Sequence, residues 1–189
     1  MKSGLLVLVG AGILMISVRW HTQVETNETE AIVDTCSVAF GQGAYWEATG
    51  RGVYGPLECL VEPNRHGCIS NYPPTGPKFL SPMLLSLAPR HGYKRTFTPG
   101  HPASKVQTTT GIAGFCYSAV PVTLGSTGRY SFGTDGSGLV CYDRTGVDLC
   151  RAGEPTGSAM PPDCVPFQCG DQGHRSPFGA RGRKSDVMP

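Results

Sequence analysis

Cysteine is the residue type whose number and placement most clearly indicate a chemistry in this 189-residue chain. An even number of cysteines after an export-like segment is typical of disulfides formed in an oxidising compartment. Eight cysteines allow on the order of 100 pairings, and the sequence does not select among them. The short spacing of Cys59 and Cys68 favours a local disulfide, and Cys36 with Cys116 is a geometric guess for a bond from helix to strand. The eight are Cys36, Cys59, Cys68, Cys116, Cys141, Cys150, Cys164 and Cys169.

Metal ligation is the alternative use of these cysteines, and the sequence disfavours it. No Cys-x-x-Cys pair is present, and Cys164, Cys169 and His174 form only a loose run in a segment rich in Pro and Gly. Structural zinc sites use tighter cysteine spacing. We therefore expect no metal and no cofactor.

The remaining polar residues do not form a recognisable catalytic motif. We interpret the five histidines as loop residues: His21, His66, His91, His101 and His174. Asp135 could bind a cation together with Asp143 or Asp148, but Asp135-Gly136 is more simply a turn, because Asp bonds its own backbone there. A secreted hydrolase would need a convergent nucleophile and base, which the sequence does not indicate. We expect a protein that is not an enzyme.

Composition narrows the class of protein further. Only 16% of the residues are charged and the net charge is +2, so charge gives no argument for binding nucleic acid or a membrane surface. Gly (26) and Pro (16) are abundant, which predicts a small core with long loops that covalent bonds would stabilise.

The N-terminal segment 1–23 is predicted to be a membrane anchor or a secretion signal. Lys2 precedes an apolar run of fourteen residues that ends before Arg19. The run is shorter than the roughly 20 residues that cross a bilayer as a helix, and it suits the apolar region of a signal. No small-x-small cleavage site follows it, so an uncleaved anchor with Arg19 and Trp20 at the interface stays open. The anchor residues would be Leu5, Leu6, Val7, Leu8, Val9, Ile13, Leu14, Met15, Ile16 and Val18.

An amphipathic helix is predicted to follow, from Val24 to about Glu47. Its apolar face would contain Ile32, Cys36, Ala39, Phe40, Gly43 and Ala44, which recur at three- and four-residue spacing. Polar residues would occupy the rest of the surface: Asn27, Glu28, Glu30, Asp34, Gln42 and Glu47. Gly50 and Gly52 would end the helix.

The strongest strand signals lie between residues 92 and 142. Strands are predicted at 92–98, 115–122, 128–132 and 139–142, with a hairpin turn in the glycine-rich segment 133–138. Connections this short favour an antiparallel meander. The fold class is therefore α+β, with the N-terminal helix packed on a small antiparallel β-sheet. The helix and sheet would form one unit at 24–152, and the tail at 153–189 would be loose.

Several of these segments, taken in order, resemble the type IV pilin-like proteins, including the type II secretion pseudopilins. The resemblance covers roughly residues 24–143. The N-terminal run departs from that family's pattern, since no acidic residue precedes Glu25. The segments that carry the resemblance are Asn27-Glu-Thr-Glu-Ala-Ile32, Gly92-Tyr-Lys-Arg-Thr-Phe-Thr-Pro-Gly100, Tyr117-Ser-Ala-Val-Pro-Val-Thr123, Gly125-Ser-Thr-Gly-Arg-Tyr-Ser-Phe132 and Thr134-Asp-Gly-Ser-Gly-Leu-Val140.

The resemblance implies a structural or accessory subunit of a type IV pilus or a type II secretion pseudopilus. Such a subunit is held in the inner membrane with its head exported, or lies in an extracellular filament. Its partners would be other pilin or pseudopilin subunits, bound through the N-terminal helix. A disulfide between Cys141 and Cys150 is implied by the C-terminal disulfide loop common in pilin-like heads. The alternative is a secreted, disulfide-stabilised binding module that does not assemble. The packing of the head would use Ala39, Phe40, Ala44, Tyr93, Phe97, Tyr117, Val120, Tyr130 and Phe132.

Overall fold

The structure, a computed structural model, describes residues 4–50, 52–103, 108–150, 164–167 and 169. Side chains are described from residue 22 onward, except that of Phe167. The predicted anchor residues, Leu5 to Val18, therefore lie outside the described side chains, and most of the predicted loose tail lies outside the described chain. In the segments that are described, no helix has both the length and the hydropathy of a membrane span.

One helix forms the N-terminal part of the fold. Helix α1 spans Gly4–Ala48 and contains 45 residues, which corresponds to an axial length of about 68 Å. The chain leaves the helix through Gly50, whose φ of 75° is readily adopted only by glycine. The side chain of Thr49 caps this end, with Oγ1 within 3.2 Å of the carbonyl oxygens of Tyr45, Trp46 and Val53. The predicted end of the helix is thus confirmed.

The sheet is a five-stranded antiparallel meander in which each strand pairs with the next. Its strands are β1 (Tyr93–Pro99), β2 (Phe115–Pro121), β3 (Ser131–Asp135), β4 (Val140–Asp143) and β5 (Val165–Phe167). The α+β class and the order of the first four strands agree with the sequence prediction. β3 begins three residues later than predicted and includes Gly133 to Asp135 of the predicted turn. The strand β5 was not predicted, because a three-residue strand containing Pro166 has little sequence signal.

A compact connection joins the helix to the sheet. It contains a short helix, α2 (Leu57–Val61), and a 3₁₀ turn, Pro82–Leu85. The amides of Phe79 and Leu80 both donate to the carbonyl oxygen of Leu60, at 2.9 and 3.1 Å. This connection packs with the C-terminal part of α1 into one apolar cluster, which includes Val38, Tyr45, Leu60, Leu80 and Leu84.

A second apolar cluster lies between the middle of α1 and the sheet, and includes Ala31, Ile32, Tyr93, Ala119, Phe132 and Val140. Of the predicted packing residues, Tyr93, Tyr117 and Phe132 are buried, and Ala39, Phe97, Val120 and Tyr130 are half-buried. The prediction is wrong for Phe40, which is 62% exposed, and for Ala44, which is also exposed. The predicted apolar face of the helix is confirmed at Ile32 and Cys36, which are buried. Towards Phe40 the buried face is rotated relative to the prediction, because it also includes polar residues.

That buried face follows a regular alternation of four- and three-residue steps along α1. Its members are Val24, Glu28, Ala31, Thr35, Val38, Gln42, Tyr45 and Thr49, all of them buried. Three of the predicted solvent-facing residues, Asn27, Glu28 and Gln42, lie on or beside this face, and Asp34 is buried as well. Hydrophobic periodicity does not identify such a face, since half of the repeating positions are polar.

Four disulfides pair all eight cysteines: Cys36–Cys169, Cys59–Cys68, Cys116–Cys150 and Cys141–Cys164. The local Cys59–Cys68 bond agrees with the prediction from spacing. Cys164 and Cys169, considered above as metal ligands together with His174, are both in disulfides.

The predicted Cys141–Cys150 bond is wrong. After β4 the chain crosses behind β3 to reach β2, where Asp148 accepts a hydrogen bond from Ser118 at 2.6 Å. This path places Cys150 beside Cys116, while the pairing of Cys141 with Pro166 brings β5 and Cys164 to Cys141. The Cys36–Cys116 guess is also wrong. Successive side chains of a strand point to opposite faces of the sheet. Tyr117 packs on the face that α1 covers, so Cys116 points to the other face.

Candidate functional site

Three sets of polar contacts fix α1 on the sheet, at successive levels along the helix. The first is at Glu28, whose side chain is 3% exposed. Its Oε1 accepts hydrogen bonds from the backbone N and the Nε of Arg129, at 2.6 and 3.1 Å, and its Oε2 accepts from Nη2 at 2.8 Å. The hydrogen bond to Glu28 raises the pKa of Arg129 above its ordinary value. Next to it, Asn27 Nδ2 donates to the carbonyl oxygen of Thr127 at 3.0 Å.

The second level is a buried ion network centred on Asp34. Its Oδ1 accepts from Arg90 Nη2 at 2.6 Å, and its Oδ2 accepts from Arg95 Nε and Nη2 at 2.9 and 2.5 Å. Arg95 is itself almost fully buried on β1, and its Nη1 donates to the carbonyl oxygen of Arg90 at 3.0 Å. Removal of charges from water is costly unless they are paired and hydrogen-bonded, as these are. The network therefore couples α1 to β1 in one relative position.

The third level is at Gln42, near the C-terminal end of α1. Its side-chain amide makes both hydrogen bonds to the backbone of Gly55, with Nε2 donating to the carbonyl oxygen at 2.7 Å and Oε1 accepting from the amide at 3.0 Å. Gly55 has no room for a side chain, because a Cβ there would lie 2.7 Å from Leu60 Cδ1 and 3.0 Å from the ring of Tyr45.

The opposite face of α1 is open and carries little charge. Val33 and Phe40 are 42% and 62% exposed, and the small residues Gly43 and Ala44 continue the same surface. The hydroxyl groups of Thr26, Thr29 and Ser37 on this side donate to the carbonyl oxygens four residues earlier, at 2.7 to 2.8 Å. We call this surface, from Val33 through Phe40 to Ala44, the outer stripe.

A cavity of about 320 Å³ lies between α1 and the β3–β4 turn. Tyr54 and Phe115 form an aromatic wall, with ring centroids 5.1 Å apart, and the Tyr54 hydroxyl donates to the carbonyl oxygen of Gly136 at 2.5 Å. Burial raises the pKa of the Tyr54 phenol, and the nearby Asp135 carboxylate raises it further. The wall is completed by Ala39, Gln42, Gly43, Trp46, Asp135, Gly136, Ser137 and Gly138.

The acidic residues considered as cation ligands serve other purposes in the structure. Asp135 Oδ1 accepts hydrogen bonds from the amide and hydroxyl of Ser137, at 2.9 and 2.5 Å, which is the turn predicted for it. Asp143 makes the equivalent contacts with Thr145 at the other end of the sheet, and Asp148 accepts from Ser118 and from the amide of Cys150. Within the described part of the chain, no group of three or more His, Cys, Asp or Glu side chains could hold a metal ion.

The three histidines whose side chains are described do not converge on the cavity or on the ion network. His66, His91 and His101 are exposed in loops, while the side chains of His21 and His174 lie outside those described. The described geometry thus consists of a helix rigidly fixed to a sheet, an open helix face and a small aromatic-walled cavity. The sequence analysis missed the buried contacts of Glu28, Asp34 and Gln42. Their partners lie far away in the sequence or in the following connection, and no local pattern on α1 identifies them.

Comparison with family models, with curated proteins and with solved structures found no match to this chain.

Proposed function

We propose that this chain is a structural or accessory subunit of a type IV pilus or type II secretion pseudopilus, with no catalytic role. Its N-terminal helix would hold the head at the inner membrane and bind other pilin or pseudopilin subunits. The observation that carries the proposal is the continuity of α1, which runs without interruption from the apolar segment into the core of a disulfide-bonded head.

The length of α1 supports a role outside the head. The residues that pack on the sheet and on α2 begin at Val24 and end at Thr49. The preceding part of α1, Gly4 to Gln23, adds about 30 Å of helix, comparable to the hydrocarbon thickness of a bilayer. Because the apolar run itself is fourteen residues, Lys2, Arg19 and Trp20 would complete the anchor at the two interfaces.

The four disulfides support an exported head. Disulfides persist in the periplasm and outside the cell and are rare in the cytosol. With all eight cysteines paired, the head would fold in that compartment and remain cross-linked there. The proposed location is therefore the cell envelope, with the helix in the inner membrane and the head outside it.

The outer stripe supports assembly with a second copy of the helix. Phe40 is a large apolar side chain left 62% exposed on a helix whose other face is buried. Gly43 has no atom within 4 Å of the position of a Cβ, so a neighbouring helix could approach closely there. A neighbouring subunit that covered Val33, Phe40 and Ala44 would remove apolar surface from water.

In the alternative proposal, the head is the same but the N-terminal apolar run is a cleaved secretion signal. A fourteen-residue apolar run is within the length range of a signal-peptide core, and its removal would release a secreted, disulfide-stabilised binding module. The cavity beside Tyr54 and Phe115 would then be its candidate binding site.

The test is the intact mass and the N-terminal sequence of the protein from fractionated cells that produce it. A chain that begins at Leu5, or retains the whole apolar run, and is found in the inner-membrane or sheared-filament fraction supports the proposal. A chain that begins after Val18 and is soluble outside the inner membrane overturns it in favour of the secreted module.

A pair of variants then tests assembly through the outer stripe. Phe40→Glu should abolish incorporation into the sheared filament or the cross-linked assembly while leaving the chain in the membrane. Met83→Glu is the matched control, because Met83 is a similarly exposed apolar side chain (67%) that lies on the 3₁₀ turn and not on α1. Equal incorporation of the two variants would argue against the outer stripe as the subunit contact.

A further inference from the structure

The head has two distinct ends along the axis of α1. At one end, the loop between β2 and β3 contacts the helix at Asn27 and Glu28, through Thr127 and Arg129. At the other end, the β3–β4 turn lies beside Gln42 and Gly43. We call the first the proximal end, because the helix continues from there towards the apolar run.

Three apolar side chains are exposed at the proximal end. Val122 and Leu124 in the β2–β3 loop are 58% and 50% exposed, and Val147, in the segment after β4, is 48% exposed. The two segments touch: a Cβ on Gly146, whose φ is 73°, would lie 2.8 Å from Leu124 Cδ1. We call Val122, Leu124 and Val147 the apolar lip.

Several polar groups of the β2–β3 loop are paired within the loop or with α1, beside the apolar side chains of the lip. The hydroxyl of Thr127 is bonded to the backbone amide of Thr123 at 3.0 Å, and the amide of Gly125 donates to the carbonyl oxygen of Gly128 at 2.8 Å. Arg129 is held by Glu28. A loop closed on itself in this way presents its apolar side chains in a fixed direction.

The lip lies close to where a membrane surface would be. Asn27 follows Val18 by nine residues, which is about 14 Å of helix. The interfacial layer of one leaflet occupies about 5–8 Å of that distance. We place the lip about 10 Å from the helix axis, which is the spacing of packed layers. A tilt of the helix by about 20° would then bring the lip roughly 3 Å nearer to the membrane. This leaves about 3–6 Å between the lip and the head groups.

We propose that the apolar lip rests on the lipid bilayer while the subunit is anchored in the membrane, so that the head is seated on the surface rather than held clear of it. This inference rests on the anchoring part of the proposed function. The lip would contact the head-group layer, where its Val and Leu side chains would lose part of their exposure to water. Arg144, exposed next to the lip, would face the lipid phosphates.

The test is photo-cross-linking of the full chain in membranes, with a benzophenone amino acid at position 124. The matched control carries the same probe at Leu139, a leucine of similar exposure (57%) in the β3–β4 turn at the opposite end of the head. A second probe at Val122 guards against a defect peculiar to position 124. We expect phospholipid adducts at 124 and 122, identified by mass, and a several-fold lower yield at 139.

Equal lipid labelling at 124 and 139 would overturn the inference, and so would adducts at 124 to a second copy of the chain in place of lipid. Carbonate extraction of the same membranes separates the two proposals. A chain that stays in the membrane but gives no lipid adduct at 124 refutes the lip alone. A chain released by carbonate refutes the anchor, and the inference fails with it.

Discussion

Loss of the Asp34 carboxylate should destabilise the head more than any other single removal of a charge from α1. Asp34 is 7% exposed at its side chain and is the counter-ion of both Arg95, at 1%, and Arg90, at 26%. Asp34→Asn keeps the shape of the side chain but leaves the Arg95 guanidinium buried without an anion. Breaking a buried pair in this way costs about 3–5 kcal/mol. At about 4 °C per kcal/mol, the Tm should fall by roughly 12–20 °C.

The measurement is urea unfolding of the full chain in mild detergent, with disulfides intact, followed by tryptophan fluorescence and far-UV circular dichroism. Glu25→Gln is the matched control, because Glu25 is an exposed acid on the same helix. Its free energy of unfolding should change by less than about 0.5 kcal/mol. The double variant Asp34→Leu with Arg95→Met should recover part of the loss, since it removes both buried charges. A loss below about 1 kcal/mol for Asp34→Asn, or strictly additive effects in the double variant, would refute the reasoning.

Three further predictions concern covalent bonds, glycines and tyrosines. The paired change Cys36→Ser and Cys169→Ser should lower the free energy of unfolding by about 2–4 kcal/mol, because it removes the bond between helix and tail; an unchanged urea midpoint would contradict this. Gly55→Ala should lower the free energy of unfolding by about 1–3 kcal/mol, because the added methyl group clashes with Leu60 and Tyr45. Gly43→Ala adds a methyl group with no neighbour within 4 Å and should stabilise the helix by up to about 1 kcal/mol. Thermal unfolding measures both changes. Burial raises the pKa of the Tyr117 phenol, so the folded state keeps a proton that the unfolded state loses above pH about 10. The corresponding stability is fully present below that pH and declines as the pH rises further. Tyr117→Phe should change the free energy of unfolding little at pH 7 and should show a smaller decline between about pH 9 and 11.

The part of the fold that follows from local sequence was predictable. Alternation and turn chemistry place the first four strands, because strand pairing across short connections is a local matter. Asp135-Gly136 marks the hairpin, and Gly50 marks the end of α1. The short helix α2 and the strand β5 were missed, since five- and three-residue elements are set by what they pack against rather than by their own pattern.

The long-range pairings could not be predicted, and the rotation of α1 shows why. The apolar spacing of Ile32, Cys36 and Phe40 predicted one face, of which Ile32 and Cys36 are buried and Phe40 is not. The structure also buries Glu28 and Gln42, which the pattern placed outside. Burial of these two depends on Arg129 and Gly55, whose positions are known only once the sheet and the connection are placed. The disulfide pairing could not be predicted for the same reason. Cys150 lies beside Cys116 only because the chain passes behind β3 after it leaves β4.

The spacing of the polar contacts along α1 bears directly on the proposed role of the helix. Contacts at Glu28, Asp34 and Gln42 are separated by six and eight residues, about 9 and 12 Å of helix. Three directional contacts at separate levels fix both the rotation and the translation of a helix, which an apolar interface alone leaves free to slide. Between Val24 and Phe40 the helix contains no Gly or Pro that would act as a hinge. The direction in which α1 leaves the head is therefore set by buried charge and amide contacts, and a subunit built in this way would transmit the orientation of its anchor to its head.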